Sequence, residues 1–228
     1  MRKKTIKLAF LKTIPVFAGY IFLGMGFGIL LHNAGYGVLW AFCMSLFIYA
    51  GAMQYVGVGL IAGDASIINT ALTTLIINAR HLFYAISMIS RYSDTGKYKP
   101  YLYFGMTDET YSLLCDCEVP NDVDKGQYFF YVTLFNHMYW ILGGVLGNVI
   151  GSVLPFSTNG IEFSMTAIFV ASFTEQWMTN KDHFPAVVGI LTSAMCLYVF
   201  GRDIFLIPAM IIITIILLIF GKKKEKLW

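Results

Sequence analysis

The chain has 228 residues, of which 57% are hydrophobic and only 13% are charged, and its formal net charge is +3. Soluble domains carry about 25% charged residues, so this composition argues against a soluble core and predicts an integral membrane protein. The apolar residues come in blocks of membrane-spanning length. We predict an all-α protein of about six to seven transmembrane helices, folded as one polytopic domain over residues 1–228 within the lipid bilayer, with no nucleic-acid partner.

Basic residues cluster at both ends of the chain. By the positive-inside rule, residues 1–13 and 221–228 are both predicted to be cytoplasmic, which requires an even number of crossings. The basic residues of these segments are Arg2, Lys3, Lys4, Lys7, Lys12, Lys222, Lys223, Lys224 and Lys226.

The first apolar block, residues 14–31, is predicted to be a retained transmembrane helix, because it is longer than the apolar region of a usual signal peptide. Gly24 and Gly28 form a GxxxG face, which lets another helix approach closely. Tight packing inside the protein is favoured over a specific dimer motif, and a homo-oligomer stays open.

The second block, residues 38–62, holds several small residues and places Gln54 at mid-depth. Broken helices in transporters expose main-chain groups that bind substrate or ions. The composition suits a helix that is re-entrant or broken near Gly51, and it suits a continuous, closely packed helix equally well. Both alternatives stay open.

The third block, residues 66–90, carries Asn78, Arg80 and His81 near its middle. An arginine at membrane depth costs at least about 2.5 kcal/mol, so Arg80 needs a carboxylate partner, an aqueous cavity or a substrate. The basic joint at residues 91–99 should be cytoplasmic, whereas three full crossings would place it outside. A re-entrant second block resolves this conflict.

Residues 100–115 are too short and too acidic for an ordinary span. We expect this segment to form a bend or a short helix that lines a cavity. It carries Asp108 and Glu109. The fourth block, residues 128–154, is a long span that contains His137.

Three further blocks complete the chain, at residues 162–178, 184–200 and 204–220. Glu175 lies near the end of the first of them. With the second block re-entrant, the chain makes six crossings and both ends are cytoplasmic.

The polar residues match no catalytic or metal-binding pattern. The histidines are scattered, and Arg80 adjoins one of them, which disfavours a bound cation. Cys115 and Cys117 lack a second pair of metal ligands at a useful spacing. No HExxH helix, GxSxG turn or P-loop occurs in the sequence. We expect no enzyme activity, no cofactor and no metal.

The remaining inventory suits a zwitterion with an apolar side chain. Arg80 would bind its carboxylate bidentately, and Asp108 or Glu109 would bind its ammonium group. Alternatively, Arg80 forms only a structural ion pair with one of these carboxylates. The candidate substrate-binding residues are Gln54, Asn78, Arg80, Tyr84, Asp108 and Glu109, and the candidate proton-coupling residues are His81, His137 and Glu175.

Short motifs along the chain resemble, in order and spacing, the large subunit of the AzlC-type branched-chain amino-acid exporters, the azaleucine-resistance family. They are Tyr49-Ala50-Gly51-Ala52-x-Gln54, Arg80-His81-x-x-Tyr84, Thr107-Asp108-Glu109 and Glu175-Gln176-Trp177, with a further similar stretch at residues 162–167. The resemblance implies an exporter in the bacterial plasma (inner) membrane and a small hydrophobic partner subunit of the AzlD type.

These observations together predict a secondary transporter that exports branched-chain or other hydrophobic amino acids, driven by protons. The alternative is a non-transporting membrane scaffold that assembles or stabilises a partner. Polar residues in at least three segments favour a transport pathway over a scaffold.

Overall fold

The computed structural model describes residues 2–120, 122–153, 182–201 and 205–225, together with residues 160, 163, 166, 167, 170, 173, 174, 177 and 178. Within these residues the chain forms helices and connecting turns, with no strand. The predicted proton-coupling residue Glu175 lies outside the described residues.

The chain forms two compact units. The first contains Met1–Thr70 and His81–Met165, and the second contains Ala71–Arg80 and Thr166–Trp228. The helices are α1 (Arg2–Asn33), α2 (Val38–Phe47), α3 (Gly51–Ala62), α4 (Ile67–Ser87), α5 (Lys99–Phe104), α6 (Asp108–Leu114), α7 (Lys125–Val153), α8 (Phe184–Phe200) and α9 (Leu206–Glu225).

Helices α1 and α7 lie side by side in the first unit and run in the same direction. Near their starts, Arg2 Nε donates a hydrogen bond to the Tyr131 hydroxyl at 3.0 Å. Near their ends, Asn148 Nδ2 donates to the Gly28 carbonyl at 3.2 Å. Both helices therefore begin at the same end of the unit.

Glycines let the backbones of α1 and α7 touch. A Cβ atom on Gly24 would lie 2.9 Å from the Cα of Gly143, and one on Gly28 would lie 2.1 Å from the carbonyl oxygen of Gly144. These atoms belong to backbone and cannot move aside, so a larger residue does not fit. The GxxxG face packs inside the unit, and the prediction of tight internal packing is confirmed.

The second apolar block is broken. Helix α2 ends at Phe47 and α3 begins at Gly51, and between them Tyr49 has a φ of 42°, in the left-handed region. A residue other than glycine is uncommon there and costs of order 1 kcal/mol or more. Of the two alternatives that the sequence leaves open, the structure shows a helix broken near Gly51 and not a continuous one. With 10 and 12 residues, α2 and α3 are about 15 and 18 Å long, so neither alone crosses a hydrocarbon core of roughly 30 Å.

Helix α2 runs alongside α7, from the C-terminal end of α7 toward the middle of α7. Just before α2 begins, the carbonyl of Tyr36 accepts a hydrogen bond from Asn148 Nδ2 at 2.9 Å. Near its end, the carbonyl of Ser45 lies 3.2 Å from His137 Nε2, about three turns earlier in α7.

Helix α3 then returns toward the end where α2 began. It starts at Gly51 against the ring of Trp140, where a Cβ atom would lie 3.0 Å from the ring. One turn later, the Tyr55 hydroxyl donates to the Leu23 carbonyl at 2.7 Å, next to the point where Gly24 meets α7. This order of contacts favours the re-entrant alternative over a continuous span.

The basic joint after α4 lies beside the start of α7. In the 3₁₀ turn Ser93–Tyr98, the Thr95 carbonyl is 3.2 Å from the position of a Cβ atom on Gly126. In the loop before α7, Asp122 pairs with Lys4, and this hydrogen bond lowers the pKa of the Asp122 carboxyl below its ordinary value. The joint and the start of α1 therefore lie at the same end of the unit, in agreement with the charge rule.

Residues 100–115 fold as the short helices α5 and α6, so the predicted bend or short helix is confirmed. A Cβ atom on Gly105, between the two helices, would lie 2.3 Å from Thr133 Cγ2 of α7. Thr107 caps α6, since its Oγ1 accepts a hydrogen bond from the Thr110 N–H at 3.3 Å.

The hydrophobic core of the first unit lies between the end of α4, the two short helices and the first half of α7. Its buried members are Ala9, Met88, Tyr92, Leu102, Met106, Leu114, Val123, Tyr128, Phe129 and Val132.

In the second unit, the apolar helices α8 and α9 pack against each other, with Cys196 and Ala209 fully buried. Among the described helices, α1 and α7 are long and apolar enough to cross a membrane, and α2, α3, α8 and Leu206–Ile219 are shorter apolar helices. The number of crossings stays a prediction.

Candidate functional site

The helix break lies at the middle of the first unit. Helix α7 has 29 residues and is about 44 Å long, and Trp140, which covers the start of α3, lies about 22 Å from its beginning. Substrate sites of transporters with broken helices lie at a comparable depth, near the bilayer midplane. The break is therefore a candidate substrate site.

Gln54 is fully buried beside the break. Its Oε1 accepts a hydrogen bond from Trp140 Nε1 at 2.8 Å. The indole nitrogen can only donate, so this contact fixes which end of the amide faces Trp140. The Nε2 group of Gln54 has no hydrogen-bond partner among the residues that the structure describes.

Glu109 faces the same region from the start of α6. The Tyr20 hydroxyl of α1 donates a hydrogen bond to Glu109 Oε2 at 2.6 Å and lies 2.5 Å from Thr107 Oγ1. Tyr20 is buried, and its ring packs edge-on against Trp140 with centroids 5.5 Å apart. The carboxyl group and the start of α3 thus lie on either side of one aromatic pair.

A hydrogen-bond network connects α7 to this carboxyl group. Asn136 Nδ2 donates to Thr110 Oγ1 at 3.0 Å, and Thr110 Oγ1 is 3.1 Å from Thr107 Oγ1. Thr107 in turn contacts Tyr20, which donates to Glu109. The network gives Glu109 a fixed orientation, because it is held by residues from three helices.

His137 holds the end of α2. The Ser45 carbonyl can only accept, so His137 Nε2 carries the proton and donates to it at 3.2 Å. The other nitrogen, Nδ1, then accepts from the Tyr101 hydroxyl at 3.0 Å. Tyr49 stacks on the imidazole, with ring centroids 4.1 Å apart. These contacts position the strained residue Tyr49, while a role for His137 in proton coupling stays a prediction.

The cluster leaves several buried polar atoms unsatisfied. Among the described residues, no hydrogen-bond partner exists for the Tyr49 hydroxyl, Gln54 Nε2, Thr133 Oγ1 or Asn136 Oδ1. All four side chains are buried, with at most 3% of their surface exposed. Leaving such an atom unpaired costs about 1–3 kcal/mol, so four of them in one cluster need an explanation.

The structure brings Gln54, Glu109 and His137 together around the break. Asp108 is the first residue of α6 and is half-buried. Tyr84 lies nearer the end of α4, where it stacks on Tyr111 of α6 with centroids 4.6 Å apart.

The remaining predicted residues lie elsewhere on α4. His81 contacts Tyr84 edge-on, with centroids 6.0 Å apart. Asn78 and Arg80 are half-buried and belong to the second unit. Whether Arg80 binds substrate or forms an ion pair stays a prediction.

The sequence motifs do not include two residues that shape the site. Tyr20 and Trp140 hold Glu109 and Gln54, yet neither belongs to an obvious motif. One signal could have found them. Tyr20 precedes Gly24 by four residues, and Trp140 precedes Gly144 by four, so each lies on the packed face of its helix. A polar side chain one helical turn from a glycine contact between helices is expected to be buried in that contact.

Comparison with known proteins agrees with the sequence resemblance. Residues 15–154 match the model of the family described as AzlC protein. The chain is 45% identical to the branched-chain amino acid transport protein AzlC of Bacillus subtilis (strain 168), over 96% of the chain and 86% of that protein.

Two further relatives cover most of the chain. An uncharacterized membrane protein of Helicobacter pylori (strain J99) is 42% identical over 97% of both chains. Inner membrane protein YgaZ of Escherichia coli (strain K12) is 27% identical over 90% of this chain and 84% of its own length. No solved structure is significantly similar. The chain is a membrane protein and belongs to the AzlC protein family.

Proposed function

We propose that the protein is a secondary transporter of branched-chain or other hydrophobic amino acids in the bacterial plasma membrane. The observation that carries this proposal is the broken helix beside the middle of α7, with a carboxylate, an amide and unsatisfied polar atoms gathered around it. Such groups are expensive in an apolar protein unless they bind a polar solute. The similarity to a relative named for branched-chain amino acid transport supports this class of solute.

We further propose that transport is outward, is coupled to protons and uses a small hydrophobic subunit of the AzlD type. His137, one of the predicted proton-coupling residues, lies near the break, which supports the proton coupling. Direction and partner come from the resemblance of the sequence to the exporter family.

Transport of radiolabelled leucine in proteoliposomes tests the proposal. Purified full-length protein is reconstituted with and without the small subunit, and initial rates are measured with and without an imposed pH gradient. We expect leucine flux above that of protein-free liposomes, accelerated by the gradient. Efflux from intact cells preloaded with leucine then tests the direction. Absence of flux under every condition would contradict the proposal and favour the scaffold.

Arg80 is tested in the same assay. We expect Arg80→Ala to abolish transport while the protein still inserts, because the residue balances charge either on substrate or on a carboxylate. If loss of Arg80 together with Asp108 restores transport, the arginine is a structural brace. Normal transport by a well-expressed Arg80→Ala variant would exclude both roles.

A further inference from the structure

We propose that His137 binds its coupled proton at Nδ1 and exchanges it through the hydroxyl group of Tyr101. This inference rests on the proposed function, because it needs a transporter that is coupled to protons. It adds which nitrogen takes the proton, which residue carries the proton and what the bound charge holds.

The Nε2 nitrogen of His137 is committed to the end of α2. The N–H of Tyr49 bonds the Met44 carbonyl at 3.4 Å, whereas a continuous helix would bond it to the Ser45 carbonyl. His137 Nε2 donates to that Ser45 carbonyl at 3.2 Å. Because a carbonyl only accepts, this bond fixes the hydrogen on Nε2 and leaves Nδ1 as the nitrogen that can bind a proton.

Tyr101 covers this second nitrogen. Its hydroxyl group lies 3.0 Å from His137 Nδ1. Tyr49 stacks on the imidazole with ring centroids 4.1 Å apart, and Phe104 packs against it edge-on at 5.8 Å. Because His137 is only 4% exposed, a proton reaches Nδ1 by way of the Tyr101 hydroxyl.

A tyrosine hydroxyl can perform this transfer because it donates and accepts hydrogen bonds at the same time. The O–H bond of Tyr101 breaks as the N–H bond forms at His137 Nδ1. The oxygen takes a replacement proton from a hydronium ion on its other side, and that ion becomes water. Tyr101 ends neutral and His137 gains one positive charge, and release of the proton follows the same bonds in reverse.

Tyr101 lies between His137 and the end of the unit that the charge rule predicts to be cytoplasmic. The half-buried Tyr101 packs on Phe130 of α7 with ring centroids 5.4 Å apart, and Tyr98 of the basic joint packs on the same ring at 5.0 Å. His137 follows Phe130 about two turns later in α7, toward the break. The relay therefore opens toward the cytoplasmic end, where a proton-driven exporter releases its protons.

The end of α2 stabilises the charge that the proton brings. A helix C-terminus carries the negative end of the helix dipole and favours a cation such as imidazolium. A protonated His137 also donates a stronger hydrogen bond to the Ser45 carbonyl than a neutral one does. Protonation thus tightens the hold of α7 on α2, just before Tyr49 with its φ of 42°.

Other groups near His137 can also bind protons. The titratable side chains that face this part of α7 are those of Tyr20 of α1, Tyr49 of the break, Tyr101 of α5, and Asp108 and Glu109 of α6. Of these, the two from the break and from α5 contact the imidazole. A substitution of His137 itself is therefore needed to assign the proton.

Transport in proteoliposomes tests the relay, with two leucine fluxes measured for each variant of the full chain. Exchange of leucine for leucine at equal pH needs no net proton movement, whereas net flux driven by a pH gradient does. The variants are Tyr101→Phe, which removes the hydroxyl, and His137→Gln, whose amide can still donate to the Ser45 carbonyl but binds no proton. Tyr103→Phe is the matched control, because Tyr103 lies on the same helix and packs on Tyr92 instead.

We expect Tyr101→Phe to lower the ratio of gradient-driven flux to exchange flux at least roughly tenfold, since a positioned proton-transfer group typically contributes about 10²–10⁴-fold. A pH-sensitive dye inside the vesicles should report the same loss of proton movement. His137→Gln should lower the ratio as far, and the double variant should lower it no further. Tyr103→Phe should keep the wild-type ratio.

Several results would overturn the inference. A wild-type ratio in Tyr101→Phe would mean that the proton reaches Nδ1 by another route, and a wild-type ratio in His137→Gln would remove the imidazole from the coupling. Equal losses of both fluxes in Tyr101→Phe would show that Tyr101 only supports the fold. If this variant does not fold, as judged by its thermal midpoint, Tyr101→Leu replaces it, with the same fall in the ratio expected.

A failure of the proposed function is distinguishable from a failure of the relay. If wild-type protein exchanges leucine but does not respond to the pH gradient, the proton coupling itself is wrong. If wild-type protein carries no leucine at all, the proposed transport is wrong. The relay alone fails when wild-type flux responds to the gradient and Tyr101→Phe responds equally.

Discussion

At the scale of single residues, Tyr20 decides how Glu109 is presented. Its hydroxyl bridges Thr107 of the bend and the Glu109 carboxyl, at 2.5 and 2.6 Å. Hydrogen bonds to charged groups are worth about 1.5–3 kcal/mol, and this one lies in a buried setting. The tyrosine therefore fixes the orientation of a carboxyl group that we predict to bind substrate.

Replacing Tyr20 with phenylalanine tests this role. We expect Tyr20→Phe to raise the leucine concentration that gives half-maximal transport roughly tenfold, with a smaller change in maximal rate, because a bond of this kind is worth about 1.5–3 kcal/mol. Initial rates over a range of leucine concentrations separate the two effects.

Tyr139→Phe is the matched control, because Tyr139 is also a buried tyrosine and bonds Thr13 at 3.1 Å on the same helix pair. An equal change in both variants would show that Tyr20 only stabilises the fold.

At the scale of elements, the contact between α1 and α7 depends on glycines, which have no side chain to keep the two backbones apart. A Cβ atom on Gly28 would lie 2.1 Å from the carbonyl oxygen of Gly144 and 2.5 Å from the amide nitrogen of Asn148. Neither atom can move without shifting a helix. Glycine is therefore required here by the closeness of two helices, and this closeness also brings Tyr20 and Trp140 into contact.

Gly28→Ala is expected to lower the thermal midpoint of the purified protein by several degrees, since overpacking typically costs about 1–3 kcal/mol. Gly19→Ala on the same helix is the control, because no described atom lies within 4 Å of its added Cβ. We expect this control to unfold at the wild-type temperature or slightly above it, since alanine favours helix. Equal midpoints for the two variants would contradict the close packing described above.

At the scale of the whole molecule, the course of the second block decides the topology. If residues 38–62 re-enter, Ala62 at the end of α3 faces outside and Ser93 in the basic joint faces the cytoplasm. If the block is a full span, the two positions exchange sides. Helix α2 descends to His137 and α3 returns past Leu23, which favours re-entry.

Cysteine accessibility distinguishes the two topologies. In a variant that lacks the four native cysteines, Ala62→Cys and Ser93→Cys are introduced singly at exposed positions. We expect a membrane-impermeant thiol reagent to label Ala62→Cys in intact spheroplasts and to label Ser93→Cys only after permeabilisation. The opposite result at both positions would establish a full span.

The sequence by itself determined the class of protein and its local breaks. Low charge content and long apolar blocks predict membrane helices, because a segment without access to water must pair its backbone hydrogen-bonding groups internally. The small residues before Gln54 made a break one of two equally favoured alternatives, and α2 and α3 show that break. The acidic stretch predicted the short helices around Gly105. These features are encoded within about ten neighbouring residues, so they are readable without the fold.

Only the tertiary structure decided which polar residues meet. Gln54 bonds a tryptophan 86 positions away, and Glu109 bonds a tyrosine 89 positions away. Such pairs depend on helix direction and register, which hydropathy does not report. The sequence centred the site on Arg80, because a buried cation is visible in any apolar stretch. The structure gathers Gln54, Glu109 and His137 at the helix break, and the role of Arg80 stays a prediction.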